Sequence, residues 1–134
     1  MSNSGNTVRK IENGRAAYAF EQVDQFVRAN KEETVKEYRS YLKKMPAMIQ
    51  VNGFGQTMAF AYAKGGKAYT AIYQQISEWL KERHGSQLRK VDNSGQQELV
   101  QVLVNMDSSD YRVLSTETLS LLQWMSRFVD GMVR

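Results

Sequence analysis

The tightest constraint on this chain lies near its end. Tyr111, Leu114, Thr118, Leu121, Met125, Phe128 and Met132 recur at intervals of three and four, with Leu122 and Val129 widening the seam. Strand side chains alternate with a period of two, so only an α-helix brings these positions to one face. The spacing predicts a helix over 108–132, capped by Asp107 or Ser108. An apolar stripe of that length needs a partner, so the rest of the chain must supply complementary faces.

It does so with the same period. Ala16, Ala19, Phe20, Val23, Phe26 and Val27 predict a first helix over 8–29. Val35, Tyr38, Leu42 and Met45 predict a second over 31–45, which Pro46 is expected to stop before a short helix from Ala47 to Val51. Asn52-Gly53 reads as its C-cap. Small residues from Gly55 to Lys64 predict another helix, ended by Gly65-Gly66. Tyr69, Ile72, Tyr73, Ile76, Trp79 and Leu80 form the stripe of the next, Lys67 to His84, with Arg83 and His84 in its dipole-favoured last turn. Gly85 to Gly95 reads as a surface loop, and Ser94 with Gln97 as a capping box opening a helix through Leu99, Val100, Val102, Leu103 and Met106. That valine-rich segment also admits a strand. The expectation is an all-α fold: one bundle of six or seven helices spanning 8–134, behind a disordered tail at 1–7.

Composition narrows the chemistry. The 134 residues include no Cys and one His, which removes disulfides, zinc fingers, iron–sulfur sites, thiol nucleophiles and any site needing two imidazoles. Gly53-Phe54-Gly55 lacks the third glycine of a dinucleotide loop, and Gly65-Gly66-Lys67 lacks the opening glycine and closing hydroxyl of a phosphate loop. Glu78 and Glu82 read as a solvated helix face, Asp107 and Asp110 as helix-start carboxylates, and His84 as a cap residue. No catalytic residue, metal or cofactor is expected. The polar start and a longest apolar run of six residues, Met58 to Ala63, predict a soluble cytoplasmic protein without a secretory signal or membrane span.

Net charge is +4 and uneven: residues 1–67 carry +5, residues 68–134 carry −1. Lys36, Arg39 and Lys43 form one stripe of the second predicted helix, Lys44 follows, and Lys64 and Lys67 flank the glycine pair. Cations spaced on rigid helices track a phosphate backbone without reading bases. Tyr41, off the core stripe, is the aromatic expected to be free to stack on a base. The bland alternative is a solvated face, partly neutralised by Glu32, Glu33 and Glu37.

The run Lys43-Lys44-Met45-Pro46-Ala47-Met48-Ile49-Gln50-Val51-Asn52-Gly53-Phe54-Gly55-Gln56-Thr57-Met58-Ala59-Phe60 resembles the central K-x-x-P-x-M-I-x-x-N-G-x-G-Q-T-x-A-F of the small subunit of the type III-B CRISPR effector, the Cmr complex. Arg15-Ala16-Ala17-Tyr18-Ala19 is similar to that family's early R-A-x-x-A, and Ile76-Ser77-Glu78-Trp79-Leu80 to its I-x-x-W-L. Tyr111-Arg112, then Glu117, Leu122, Trp124, Arg127 and Phe128, resemble its closing helix. Met45 and Phe54 stand where leucine is usual, Thr118 for an alanine and Ser126 for a basic residue.

The resemblance implies a non-catalytic subunit. It would stack with copies of itself and with the larger backbone subunit, forming the minor filament along guide RNA and target RNA, while other subunits cut. It implies Arg15, Lys43, Gln56, Arg112 and Arg127 as RNA contacts; Lys36, Arg39, Lys44, Lys64 and Lys67 come from charge and spacing alone. Asn52 and Gly53 read first as a cap. Two alternatives stand beside this: a purely structural spacer touching only other subunits, and a stand-alone helical DNA-binding protein.

Overall fold

The computed structural model describes residues 4–133, with side chains from Glu12 onward. Seven helices run in order: α1 (Ser4–Ala29), α2 (Glu32–Asn52), α3 (Phe54–Lys64), α4 (Gly66–Arg83), α5 (Gly85–Arg89), α6 (Leu99–Leu103) and α7 (Ser108–Met132). No strand occurs among the described residues, so the all-α expectation is met and the strand alternative for the valine-rich segment falls.

The α7 seam is the spine of the molecule. Leu114, Thr118, Leu121, Leu122, Met125 and Val129 are buried, and α7 packs chiefly on α1 and α2. Each fully buried leucine contributes roughly 2 kcal/mol by leaving water. Asp107 caps the helix, accepting the Asp110 N–H at 2.9 Å. Contacts set the directions. Arg15 meets Glu117 and Phe20 meets Phe128, so α1 and α7 run the same way. Gly55 meets Tyr111 at one end and Arg39 meets Asp130 at the other, so α2 opposes α7.

Helix α4 crosses this layer and closes the core through a buried amide. Tyr18 donates its hydroxyl to the Gln75 carbonyl at 2.6 Å, Tyr38 donates to Gln75 Oε1 at 2.9 Å, and Gln75 Nε2 donates to the Gln22 carbonyl at 3.4 Å. One side chain thus ties α1, α2 and α4 together. Burial pushes both tyrosine hydroxyls above their ordinary pKa, which keeps them neutral donors.

Several boundaries differ from expectation. Helix α2 continues through Pro46 to Asn52 instead of stopping. The ring removes a hydrogen bond to the carbonyl one turn back, but Val35, Tyr38, Leu42, Met45 and Ile49 form one buried stripe across it, and their packing outweighs the loss. Helix α1 starts at Ser4, so residues 4–7 of the expected tail are helical, and the tail's residues 1–3 lie outside the described residues. The expected loop after His84 opens with the short helix α5.

The Ser94–Gln97 capping box does not form. Glu98 is the N-cap of α6, and the buried Asp92 organises the preceding turn, accepting from the Ser94 hydroxyl at 2.6 Å and the Gln97 N–H at 2.7 Å. Those hydrogen bonds, from Ser94 first and then Gln97, hold the Asp92 carboxyl below its usual range. No helix among the described residues is long and apolar enough to cross a membrane.

Candidate nucleic-acid interface

The α2–α3 junction follows from its glycines. Gly53 has φ 93°, a region that disfavours side chains, and its N–H donates to the Ile49 carbonyl at 2.9 Å to close α2. As the N-cap of α3 it has no side chain to cap the first turn. The cap comes from elsewhere: the Gly55 N–H donates to Tyr111 Oη of α7 at 2.7 Å. A Cβ on Gly55 would lie 3.2 Å from that oxygen. The run Asn52-Gly53-Phe54-Gly55-Gln56-Thr57 is therefore first a helix junction, with Phe54 and Thr57 buried beneath it.

This junction sets two ladders side by side. On α2, Lys44, Met48 and Asn52 are spaced by four; on α3, Gln56, Phe60 and Lys64 repeat that spacing. Met48 is half-buried and the other five are exposed. Met48, Asn52, Gln56, Thr57 and Phe60 line a groove of about 320 Å³. Three rings hold its wall. Tyr41 stacks on Tyr69 at 3.8 Å, and Phe60 meets Tyr69 edge to face at 5.4 Å. Lys44 Nζ lies 5.8 Å from the Tyr41 ring centroid. Tyr41 is therefore not the free ring expected from sequence: one face is covered by Tyr69, and the exposed aromatic is Phe60.

The ten candidate contacts separate by their partners. Lys44, Gln56 and Lys64 lie on the two ladders and Lys67 on the next helix, and none makes an ion pair among the described residues. Lys67 stands in the first turn of α4, whose N-cap Gly65 offers no side-chain hydrogen bond. Arg112 and Arg127 are exposed on α7, also without an acidic partner among the described residues. Lys36 pairs with Glu32 at 3.3 Å on the surface. Arg39, at 2.8 Å, and Lys43 both converge on Asp130 in the last turn of α7. Hydrogen bonds from Lys43 and then Arg39 hold the Asp130 carboxyl below its usual range.

Arg15 is the most committed of the ten. It is buried and donates to both oxygens of Glu117, at 2.6 and 3.0 Å, and to Glu12 at 2.9 Å. Trp79 Nε1 donates to Glu117 at 2.8 Å, and His84 Nε2 lies 3.2 Å from it. Burial alone would push the Glu117 carboxyl up, but the hydrogen bonds from Arg15, Trp79 and His84 with the Arg15 charge hold it down to about 2. His84 also ends α4, its N–H donating to the Leu80 carbonyl at 2.7 Å, as its expected cap role requires.

Spacing alone missed Phe60, Met48 and Asn52 as members of the groove. Their signal was the four-residue repeat on both sides of Gly53, hidden by ending the helix at Pro46. No group of three or more His, Asp or Glu able to hold a metal occurs among the described residues.

Fold and surface together define a small all-α domain in which exposed lysines, amides and an aromatic ring stand on the adjoining helices α2 and α3. The chain belongs to the CRISPR-associated protein family Cas_Cmr5, whose model matches residues 11–132. It is similar to the CRISPR system Cmr subunit Cmr5 of Thermus thermophilus, 28% identical over 118 residues that cover 88% of this chain and 91% of the relative. The resemblance to the small subunit of the type III-B effector is thereby borne out.

Proposed function

We propose that this chain is a non-catalytic subunit of a cytoplasmic type III-B effector that binds the phosphate backbone of target RNA beside the guide RNA. It would line up with copies of itself and with the larger backbone subunit in the minor filament. One observation carries the RNA reading: Lys44, Lys64 and Lys67 are exposed on adjoining elements without an ion-pair partner among the described residues, beside the Gln56 amide. Cations not neutralised within the protein are the ones whose phosphate contacts release counterions. Arg112 and Arg127, exposed on α7 without an acidic partner among the described residues, are further candidate cations. Arg39, Lys43, Lys36 and Arg15 contribute less, since a phosphate must compete with Asp130, Glu32 or Glu117 for them. Specificity then belongs to base pairing with the guide, as in other RNA-guided effectors.

The reading of a structural spacer draws on the same ion pairs, because Asp130 spends two of the expected cations inside the protein. It also draws on Phe20 and Phe128, which meet edge to face at 5.2 Å on the α1–α7 surface with Phe20 half exposed. Charge reversal at Lys44, Lys64 and Lys67 separates the two. The RNA reading expects loss of target-RNA affinity with assembly intact; the spacer expects the reverse. If about four phosphates are neutralised per subunit, log affinity falls with log salt at a slope near −3. A stand-alone DNA-binding protein would instead prefer duplex DNA of one sequence in the same titration.

A further inference from the structure

We propose that the groove between α2 and α3 is a binding site for one unpaired nucleobase, stacked on Phe60 and met at its edge by the amides of Gln56 and Asn52. This rests on the RNA reading above and goes beyond it, since backbone contacts alone need no such recess.

Phe60 is 43% exposed, yet its ring is fixed edge to face against Tyr69, which is itself stacked on Tyr41. A half-exposed aromatic with so little freedom loses little entropy when a second ring lies on it. Met48 forms an apolar side of the groove, and Thr57 is buried at its base with its hydroxyl donated to the Gly53 carbonyl at 2.9 Å. The amides of Gln56 and Asn52 stand on its lining and make no side-chain hydrogen bond among the described residues. A primary amide offers a donor and an acceptor together, which is what a base edge presents. The volume, about 320 Å³, is at the small end for ligand sites.

Charge and spacing favour a base over a side chain from a neighbouring protein. Lys44 lies one turn before Met48 on α2, and Lys64 one turn after Phe60 on α3. The ladders run back side by side from the Gly53 junction, and Phe60 and Tyr41 meet through Tyr69, so both cations lie at the open end of the groove, where a phosphate beside the seated base would lie. An apolar protein anchor would gain nothing from two free amides, and they would lose water on its arrival.

The test is a titration of the full 134-residue chain, with methionine methyls labelled with carbon-13, against two short single-stranded RNAs. One carries its bases and the other is an abasic ribose-phosphate strand of the same length. The expected result is a ring-current shift of the Met48 methyl with the base-bearing strand only, and affinity about tenfold above the abasic strand. Phe60→Leu removes that difference and leaves the residual backbone affinity; Gln56→Ala reduces it. Unchanged signals from the buried Met45 and Met58 methyls certify that each variant is folded. Equal affinity for the two strands with Met48 unmoved overturns the base site and leaves backbone binding standing. A Phe60→Leu variant that keeps the full difference also overturns it. Failure of both strands to bind overturns the RNA reading and the base site together.

Discussion

Tyr111, in the first turn of α7, caps α3 from outside: its hydroxyl accepts the Gly55 N–H at 2.7 Å across 56 residues of sequence. The N-cap of α3 is a glycine, so this tertiary contact replaces the usual local one. Tyr111→Phe, which keeps the ring, is expected to cost about 1 kcal/mol and lower Tm by about 4 °C. Gly55→Ala forces a Cβ to 3.2 Å from the hydroxyl oxygen, so it should destabilise the natural protein. In the Tyr111→Phe background the same change should become neutral or stabilising, because that oxygen is gone. A double-mutant cycle by thermal melting measures the coupling, expected at about 1 kcal/mol.

Glu117 links the stability of the fold to pH. Its folded pKa of about 2 lies below the ordinary 4.5, so its contribution is complete above about pH 4.5 and is lost as pH falls towards 2. The side chain is 10% exposed, so solvent screening is small, and the shift amounts to roughly 3 kcal/mol. Glu117→Gln should destabilise at pH 7 by about that much, because Arg15 loses its main counter-ion. The variant should also show a flatter Tm profile between pH 4.5 and 2 than the natural protein. A parallel profile would remove Glu117 as the source.

Asp130 separates binding from stability. Its pairs with Arg39 and Lys43 are about a third or more exposed, a setting in which ion pairs contribute at most about 1 kcal/mol. Asp130→Asn should therefore leave Tm nearly unchanged. By releasing two cations it should strengthen binding to single-stranded RNA and steepen the salt dependence by up to about 1.4 in slope. An unchanged salt slope would mean that these residues do not face RNA.

Thr118 is fully buried in the α7 seam, and its hydroxyl has no hydrogen-bond partner among the described residues. Thr118→Val keeps the shape and removes the unpaired oxygen. Stability should rise by about 1 kcal/mol in denaturant unfolding, read as a higher midpoint at constant m.

The long helices were legible because their signal is local and repeated. The seam at Tyr111, Leu114, Thr118, Leu121 and Met125 admits one conformation, and α7 spans the expected 108–132. The capping of α7 by Asp107 was equally plain, since it acts over three residues. The weaker readings came where local preference and tertiary packing disagree. At Pro46 the local rule ends a helix, but Met45 and Ile49 on either side share one buried stripe. At Ser94 the local pattern resembles a cap, but the buried Asp92 takes the Ser94 hydroxyl and the Gln97 N–H into a turn and leaves Glu98 as the N-cap.

The candidate site divides in the same way. Which residues carry charge was plain from the sequence; which charges remain available was not. Arg15 and Glu117 are 102 residues apart, and Lys43 and Asp130 are 87 apart. No spacing rule links such pairs, because their distance depends on how α7 lies against α1 and α2. The sequence by itself determined an all-helical domain, its apolar faces and a basic first half, since each follows from side-chain type and period. Tertiary structure alone decided which cations are neutralised, that Tyr111 caps α3, and that Phe60 rather than Tyr41 stands open. Those outcomes depend on the packing of helices distant in sequence, where burial and electrostatics act through space and not along the chain.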